Sequence, residues 1–223
     1  MTEIDAQTLL EQAVLNGLIN AEQAQVARHE AEDGSVEAVG RTLVRRDLLT
    51  SWQLEKLKKS GDSAAFYYGG FKVLFHIAEG TFARVYRGRK TEGNQSVAIK
   101  VLRNRFVSDA AAVARFNQEA ESGLKLIHPN IVRIYEYGEQ YNRYYMIMEF
   151  VEGSNLRDFL RNRGRLSPAE ALPMMLGLAD GLRYSLEKGV THRDLKASNI
   201  LISSSGVAKL VDFGLATIQG DDS

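Results

Sequence analysis

The sequence predicts an α+β chain in two parts. A small N-terminal helical bundle covers residues 1–60, a short linker follows at 61–67, and residues 68–223 hold a strand-rich piece and then a helix-rich one. Three observations carry this. Leu9, Leu10, Ala13, Val14 and Leu18 recur at helical spacing. The apolar period shortens toward two after residue 66. Ser167-Pro168-Ala169-Glu170 then spells a capping box with proline at the first helical position.

The first sixty residues repeat at an offset of 30. Val14-x-x-Gly17-Leu18-Ile19-Asn20-x-x-Gln23 matches Val44-x-x-Asp47-Leu48-Leu49-Thr50-x-x-Gln53. Asn20 and Thr50 stand where N-caps belong, because their side chains accept from exposed backbone N–H groups. Each half reads as helix, short turn, helix, with its leucines in the core and Trp52 as a core or lid residue. Lys58 to Ala65 is small and polar without periodicity, as a linker is. Strands are predicted at 71–77, at 83–87 and at 96–102, the third entered through Glu92-Gly93-Asn94. A helix is predicted at 109–126, strands at 131–137 and 143–149, and a long helix from Ser167 to Lys188-Gly189. Ser203-Ser204-Ser205-Gly206 joins two short strands ahead of Asp212.

Composition narrows the function. A chain of 223 residues with 44% hydrophobic and 25% charged residues is an ordinary globular protein of one or two domains. Zero net charge gives no electrostatic case for nucleic acid or an anionic membrane. Residues 1–65 hold 7 basic and 11 acidic groups, against 21 and 17 in the remainder, a mild split that fits two modules. The absence of cysteine excludes disulfides, thiolate zinc sites and thiol catalysis, and permits a reducing, cytoplasmic setting. Met1 to Asp5 is acidic and is no secretory signal, and no apolar run is long enough to span a membrane.

The chemistry sits late in the chain. Thr191-His192-Arg193-Asp194-Leu195-Lys196-Ala197-Ser198-Asn199 is followed by Asp212-Phe213-Gly214. Asp194 could take the proton of an attacking hydroxyl. Lys196, two residues on, could neutralise charge on a transferring phosphoryl group. Asn199 and Asp212 are hard oxygen ligands suited to Mg²⁺. Phosphoryl transfer from a metal-bound nucleotide needs these groups. Upstream, Ile77-Ala78-Glu79-Gly80-Thr81-Phe82-Ala83-Arg84-Val85 lies between two strands, and Gly80 offers bare backbone to a phosphate. A strand rather than a helix follows it, which excludes a dinucleotide-binding turn.

Residues 68–223 resemble the protein kinase superfamily, and most closely bacterial serine/threonine kinases, with every signature present up to the start of the activation segment. The resemblance implies an antiparallel-sheet N-lobe over about 68–150 and the first part of a helical C-lobe over about 151–223. It implies ATP and Mg²⁺ as cofactors and a protein serine or threonine as substrate. Residues 77–85 take the place of the glycine-rich loop, with Ala78 and Ala83 where its outer glycines stand. Val97-Ala98-Ile99-Lys100 matches the strand motif whose lysine meets the nucleotide phosphates. Glu119 is its implied partner, with Glu121 as a competitor. Met146-Ile147-Met148-Glu149-Phe150-Val151 looks like the strand and hinge that hold adenine. Met148 would limit the pocket, and the backbone of Glu149 and Val151 would bind the adenine edge. Asp194 is the implied base, Lys196 its companion, and Asn199 and Asp212 the metal ligands. His192 and Phe213 are implied as packing residues. Residues 1–60 resemble the small helical module ahead of some bacterial serine/threonine kinase domains and, loosely, N-terminal domains of secretion ATPases, which suggests a docking module for a protein partner.

Two other readings stand beside this one. Ala78 and Ala83 motivate a non-catalytic nucleotide-binding pseudokinase or scaffold, and the repeat in 1–60 motivates a pure interaction protein. The kinase pattern stops soon after Asp212-Phe213-Gly214, so the domain is expected to be incomplete, as a fragment or a natural truncation, and weak in transfer by itself. The apolar face beneath Leu195, Ile200 and Leu201 is then expected to lack cover. Thr217 and Ser223 are candidate phosphorylation sites.

Overall fold

The computed structural model describes residues 4–59 and 66–213 in full, with the backbone of 217–218 in addition. Most of the expected linker, Gly214, the Thr217 side chain and Ser223 lie outside the described residues. The chain divides into two compact units, Met1–Ala78 with Tyr86–Gln95, and Glu79–Val85 with Ser96–Ser223.

The first unit holds four helices, α1 (Ala6–Leu15), α2 (Ala21–Glu30), α3 (Val36–Arg45) and α4 (Ser51–Lys58). The second pair begins thirty residues after the first, as the repeat predicts. Asn20 and Gln23 close a reciprocal capping box at α2, and Thr50 and Gln53 close the matching one at α4. Gly17 and Asp47, at equivalent turn positions, both adopt left-handed backbone (φ 65° and 55°). Leu9, Leu10, Ala13, Leu18, Ile19, Val39, Leu43, Leu49 and Leu57 form one buried core.

That core does not end at residue 60. Phe66, 2% exposed, is part of it, and Tyr67 packs against it. These two residues, which the sequence places in the linker, therefore belong to the packing of the helices. They lead into β1 (Tyr67–Tyr68), which pairs antiparallel with β2 (Phe71–Glu79). The two halves of the repeat hold this hairpin differently. The first half accepts from it: Tyr67 Oη donates to Gly17 O at 2.7 Å, and Lys72 Nζ to Leu18 O at 2.9 Å. The second half donates to it: Gln53 Nε2 reaches Val73 O and Thr50 Oγ1 reaches Leu74 O, each at 2.6 Å. Trp52 completes the seam, with ring centroids 6.2 Å from Phe66 and 5.5 Å from Tyr86. Gln53 is 1% exposed, so its amide serves the cap and the strand at once. Gln53→Ala is expected to cost about 1–3 kcal/mol, because it strands the buried Val73 carbonyl as well as opening the cap. Denaturant unfolding followed by emission of Trp52, the chain's one tryptophan, measures this.

From β3 (Ala83–Lys90), residues 83–85 belong to the second unit. There β4 (Ser96–Leu102), β6 (Arg143–Glu149) and β5 (Ile134–Gln140) lie side by side in that order, all antiparallel, with Lys100 opposite Met146. Helix α5 (Ala110–Leu124) packs against β5 and β6. Strand β5 starts three residues later than predicted, because Ile131 makes a bridge to Leu210 instead. Beyond β6 come β7 (Gly153–Asn155) and α6 (Leu156–Arg163), neither of which the sequence predicted, and then α7 (Pro168–Glu187), opened by the Ser167–Glu170 capping box. Short strands β8 (Val190–Thr191), β9 (Ile200–Ser203) and β10 (Ala208–Leu210) frame the motif region. Strand β11 (Thr217–Ile218) pairs with β8. Strands order as β10-β9-β7 in one small sheet. Gly153 permits the β7–β9 approach, since a Cβ there would sit 1.9 Å from Ile202 O.

Two apolar clusters among the described residues of this unit bear on the site. Leu126, Ile131, Leu178, Val190, Ile200, Ile202, Leu210 and Phe213 form one. Ala83, Ala98, Leu102, Phe116, Ala120, Val132, Met146 and Met148 form the other. Ile200 is thus buried and Leu201 packs against the second cluster, so the expected bare face is bare only at Leu195, which is 54% exposed. The larger exposed apolar stripe lies on α7, at Leu172, Met175 and Leu176. No helix among the described residues is long and apolar enough to cross a membrane.

Candidate active site

Strand β4 carries Lys100 to the centre of the site. Its Nζ lies 2.6 Å from Glu119 Oε1 and 2.6 Å from Asp212 Oδ1. Glu119 gets there because it shares the buried face of α5 with Ala112, Phe116 and Ala120. Glu121 points elsewhere, accepting from Tyr137 Oη at 3.0 Å, so the competition between the two glutamates is decided by helix phase. Burial disfavours the Lys100 ammonium, but the Asp212 and Glu119 carboxylates outweigh it and raise its pKa. Lys100 in turn holds the Asp212 carboxyl below its ordinary value. Burial pushes the Glu119 carboxyl up, against the pull of Lys100. Asp212 sits at φ 63°, a left-handed conformation that costs a non-glycine residue about 1–3 kcal/mol and re-aims its side chain.

The segment from His192 to Asn199 builds the second group. His192 is 3% exposed, and its ring lies 4.6 Å from that of Phe213. Its Nε2–H donates to Val211 O at 3.2 Å, and its Nδ1 accepts from Asp194 N at 3.3 Å, which assigns the neutral Nε2–H tautomer from the partners. Burial lowers its pKa and favours the same form. His192 is therefore a brace, as the sequence implied. Arg193, at φ 57°, makes the turn that presents Asp194.

Asp194 Oδ2 accepts from Lys196 Nζ at 2.6 Å and from Asn199 Nδ2 at 3.0 Å. Asn199 Nδ2 also reaches Asp194 O at 3.0 Å. Among the described residues Oδ1 of Asp194 has no hydrogen bond, which leaves one carboxylate oxygen for an incoming hydroxyl. The Lys196 bond is the main reason the Asp194 carboxyl lies below its ordinary value. Val211 N donates to Asn199 O at 3.0 Å and ties this segment to the residue before Asp212.

The donor chemistry fits Mg²⁺. Asn199 spends its amide nitrogen on Asp194, so its remaining polar atom is an oxygen, and Asp212 brings a carboxylate held ionised by Lys100. A carboxylate and an amide oxygen suit a hard cation that shares its shell with phosphates and water.

An apolar cluster accompanies these groups. Ala83, Ala98 and Met148 belong to its buried part, with Val85, Val151, Leu201 and Val211 packed against it. Val211 was not singled out in the sequence, although its alternation with buried Leu210 marks it as facing the other way, and Leu201, expected on a bare face, packs against the same cluster. At the proposed hinge, Glu149 N donates to Arg133 O at 2.8 Å, so its N–H is spent within the protein. Its carboxylate pairs with Lys209 Nζ at 2.9 Å, a contact between β6 and β10 with no signature in the sequence. Ile77 and Ala78 belong to the first unit, and residues 79–85 to the second. In the loop, Gly80 N donates to Ala83 O at 2.9 Å and closes a tight turn.

The family profile described as "Protein kinase domain" matches residues 71–223. Similar curated proteins include several from bacteria. The "Probable serine/threonine-protein kinase PknB" of Lactococcus lactis subsp. lactis (strain IL1403) is 39% identical over 154 residues, 69% of this chain and 25% of that protein. The "Serine/threonine-protein kinase PrkC" of Bacillus subtilis (strain 168) is 40% identical over 149 residues, covering 67% and 23%. The "Serine/threonine-protein kinase pkn2" of Myxococcus xanthus is 40% identical over 157 residues, covering 69% and 19%. The matched stretch thus spans a quarter or less of these relatives. With that match lying over the strands, helix and loop that assemble Lys100, Glu119, Asp194, Asn199 and Asp212, this chain belongs to the protein kinase domain family.

Proposed function

We propose that the chain carries the nucleotide-binding and phosphoryl-transfer groups of a cytoplasmic, ATP- and Mg²⁺-dependent serine/threonine protein kinase. The observation that carries this is the pair of networks in one unit: Lys100 between Glu119 and Asp212, and Asp194 between Lys196 and Asn199. In this reading Lys100 meets the nucleotide phosphates, and the apolar cluster at Ala98, Met148, Val151 and Leu201 lies against the adenine. Asp194 Oδ1 orients a substrate hydroxyl and takes its proton as the new O–P bond forms and the bond from the γ-phosphorus to the ADP oxygen breaks. Lys196 offsets charge on the phosphoryl oxygens. Asn199 and Asp212 would hold Mg²⁺, which would supply charge neutralisation at the phosphates. The four-helix segment serves as a docking module for a protein partner.

A non-catalytic nucleotide-binding role is the second reading, favoured by Ala78 and Ala83. Ala83 is 7% exposed and belongs to the apolar cluster, so this substitution adds packing rather than a clash. Calorimetric titration with Mg·ATP, beside transfer of labelled phosphate to serine, threonine and tyrosine peptides, separates the readings. The kinase reading expects Mg²⁺-dependent binding and label on serine or threonine only. Binding without transfer in the longest form of the protein that folds would favour the scaffold.

A further inference from the structure

The turn after β4 grips the nucleotide loop in a way that the transfer chemistry above does not use. Three consecutive loop carbonyls are bonded to it. Gly80 O accepts from Arg103 Nη1 at 3.2 Å, Thr81 O from Arg105 Nη2 at 2.9 Å, and Phe82 O from Arg103 N at 2.8 Å. The Arg103 guanidinium also reaches Glu79 Oε1 at 3.2 Å through Nη2. The Phe82 ring packs on Phe106 at 4.9 Å, with the Arg115 guanidinium 5.8 Å from its centre. A surface arginine ordinarily leaves its head in water. Arg103 is only 23% exposed and spends two nitrogens and its backbone N–H on one loop.

We infer that Arg103, seconded by Arg105, is a positioning residue for the nucleotide loop, a role that rests on the kinase reading. In a planar trans peptide the N–H is antiparallel to the carbonyl of the same unit. Fixing the carbonyls of residues 80, 81 and 82 toward the arginines turns the N–H groups of Thr81, Phe82 and Ala83 away from them, in the sense needed to meet nucleotide phosphates. The clamp supplies by side-chain bonding an order that the loop's single glycine does not specify. Its geometry requires a planar fork with two donors aimed at two acceptors, Gly80 O and Glu79 Oε1. A lysine keeps the charge but presents it as one point.

Two measurements test this on the chain as it stands. Amide exchange by NMR at Gly80 N–H and Arg103 N–H, the two bonded amides of the clamp, reads its closure. Titration with Mg·ATP reads its consequence. Arg103→Ala is expected to speed both exchanges and weaken Mg·ATP by about tenfold, the scale of one lost charge-assisted hydrogen bond. Arg103→Lys is expected to fall within about threefold of Arg103→Ala in both. Glu79→Gln, which leaves Arg103 in place and weakens its arm to Glu79 together with the 3.1 Å contact from Arg84 Nε, is expected to shift both in the same direction by less, and serves if the arginine variants fold poorly. Unchanged exchange in Arg103→Ala overturns the inference. So does an Arg103→Lys protein with wild-type affinity and an open loop, which would make the role simple charge attraction. If the wild-type chain binds no Mg·ATP, the kinase reading falls, and the exchange comparison alone still decides the clamp.

Discussion

Lys100→Met is expected to abolish measurable Mg·ATP binding and to destabilise the second unit by about 3–5 kcal/mol at neutral pH, the usual cost of removing one partner from a buried ion pair. The side chains of Lys100 and Glu119 are 13% and 10% exposed, so without the ammonium the Glu119 carboxylate is left charged and dry. Asp212 is 44% exposed, and water screens its share of the loss. The pH dependence follows from the signs. Lys100 holds the Asp212 pKa down, so this pairing stabilises the fold above the ordinary carboxylate range and is lost as pH falls through the lowered value. The Lys100 pKa is raised, so its contribution is complete below the ordinary lysine range and fades only at more alkaline pH. In the variant, burial and the neighbouring Asp212 carboxylate act on Glu119 without the opposing ammonium and push its carboxyl further up. The variant's deficit should therefore shrink between neutral and mildly acidic pH as Glu119 takes a proton, while the wild-type network itself weakens on acidification. Denaturant unfolding at the two pH values measures the difference. A deficit independent of pH would show that Glu119 is not left as an unpaired buried charge.

Asp194→Asn is expected to lower phosphoryl transfer by about 10²–10⁴-fold, the range for a positioned general base, with Mg·ATP affinity unchanged within about twofold. The substitution keeps the shape that Lys196 and Asn199 hold, so folding is not at issue. What it removes is a carboxylate oxygen able to take a proton. Because Lys196 holds the Asp194 carboxyl below its ordinary value, the acid limb of the wild-type rate should also lie below that value. Lys196→Met should move that limb upward. Single-turnover transfer across pH reads both effects. An Asp194→Asn protein that transfers at the wild-type rate would end the assignment of Asp194 as base.

The networks behind these expectations were partly legible in the sequence. Asp194, Lys196, Asn199 and Asp212 lie within twenty residues of one another, and the bonds among the first three are nearly forced by that closeness. The Lys100–Glu119 pair came from resemblance, and the structure adds the reason that Glu121 loses, which is its phase on α5. The repeat and the N-caps Asn20 and Thr50 were legible because helix starts are local chemistry. Other features were not. Strand β7 is three residues long and helix α6 follows at once, so neither offers a period to read. The Glu149–Lys209 contact joins strands sixty residues apart. The docking of Gln53 on Val73 depends on where β2 lies, and nothing in the string of residues states that. The same is true of Arg103, which sequence presents as one more surface cation.

The thirty-residue repeat carries a consequence for drift. The repeat holds two glutamines with the same capping task, at positions 23 and 53, and among the described residues the second also holds a strand. Position 23 answers to its cap, and any residue that caps there adequately can take its place. Position 53 answers to its helix and to the backbone of β2 together, so few substitutions satisfy both. The two halves of the repeat therefore stand under unequal constraint.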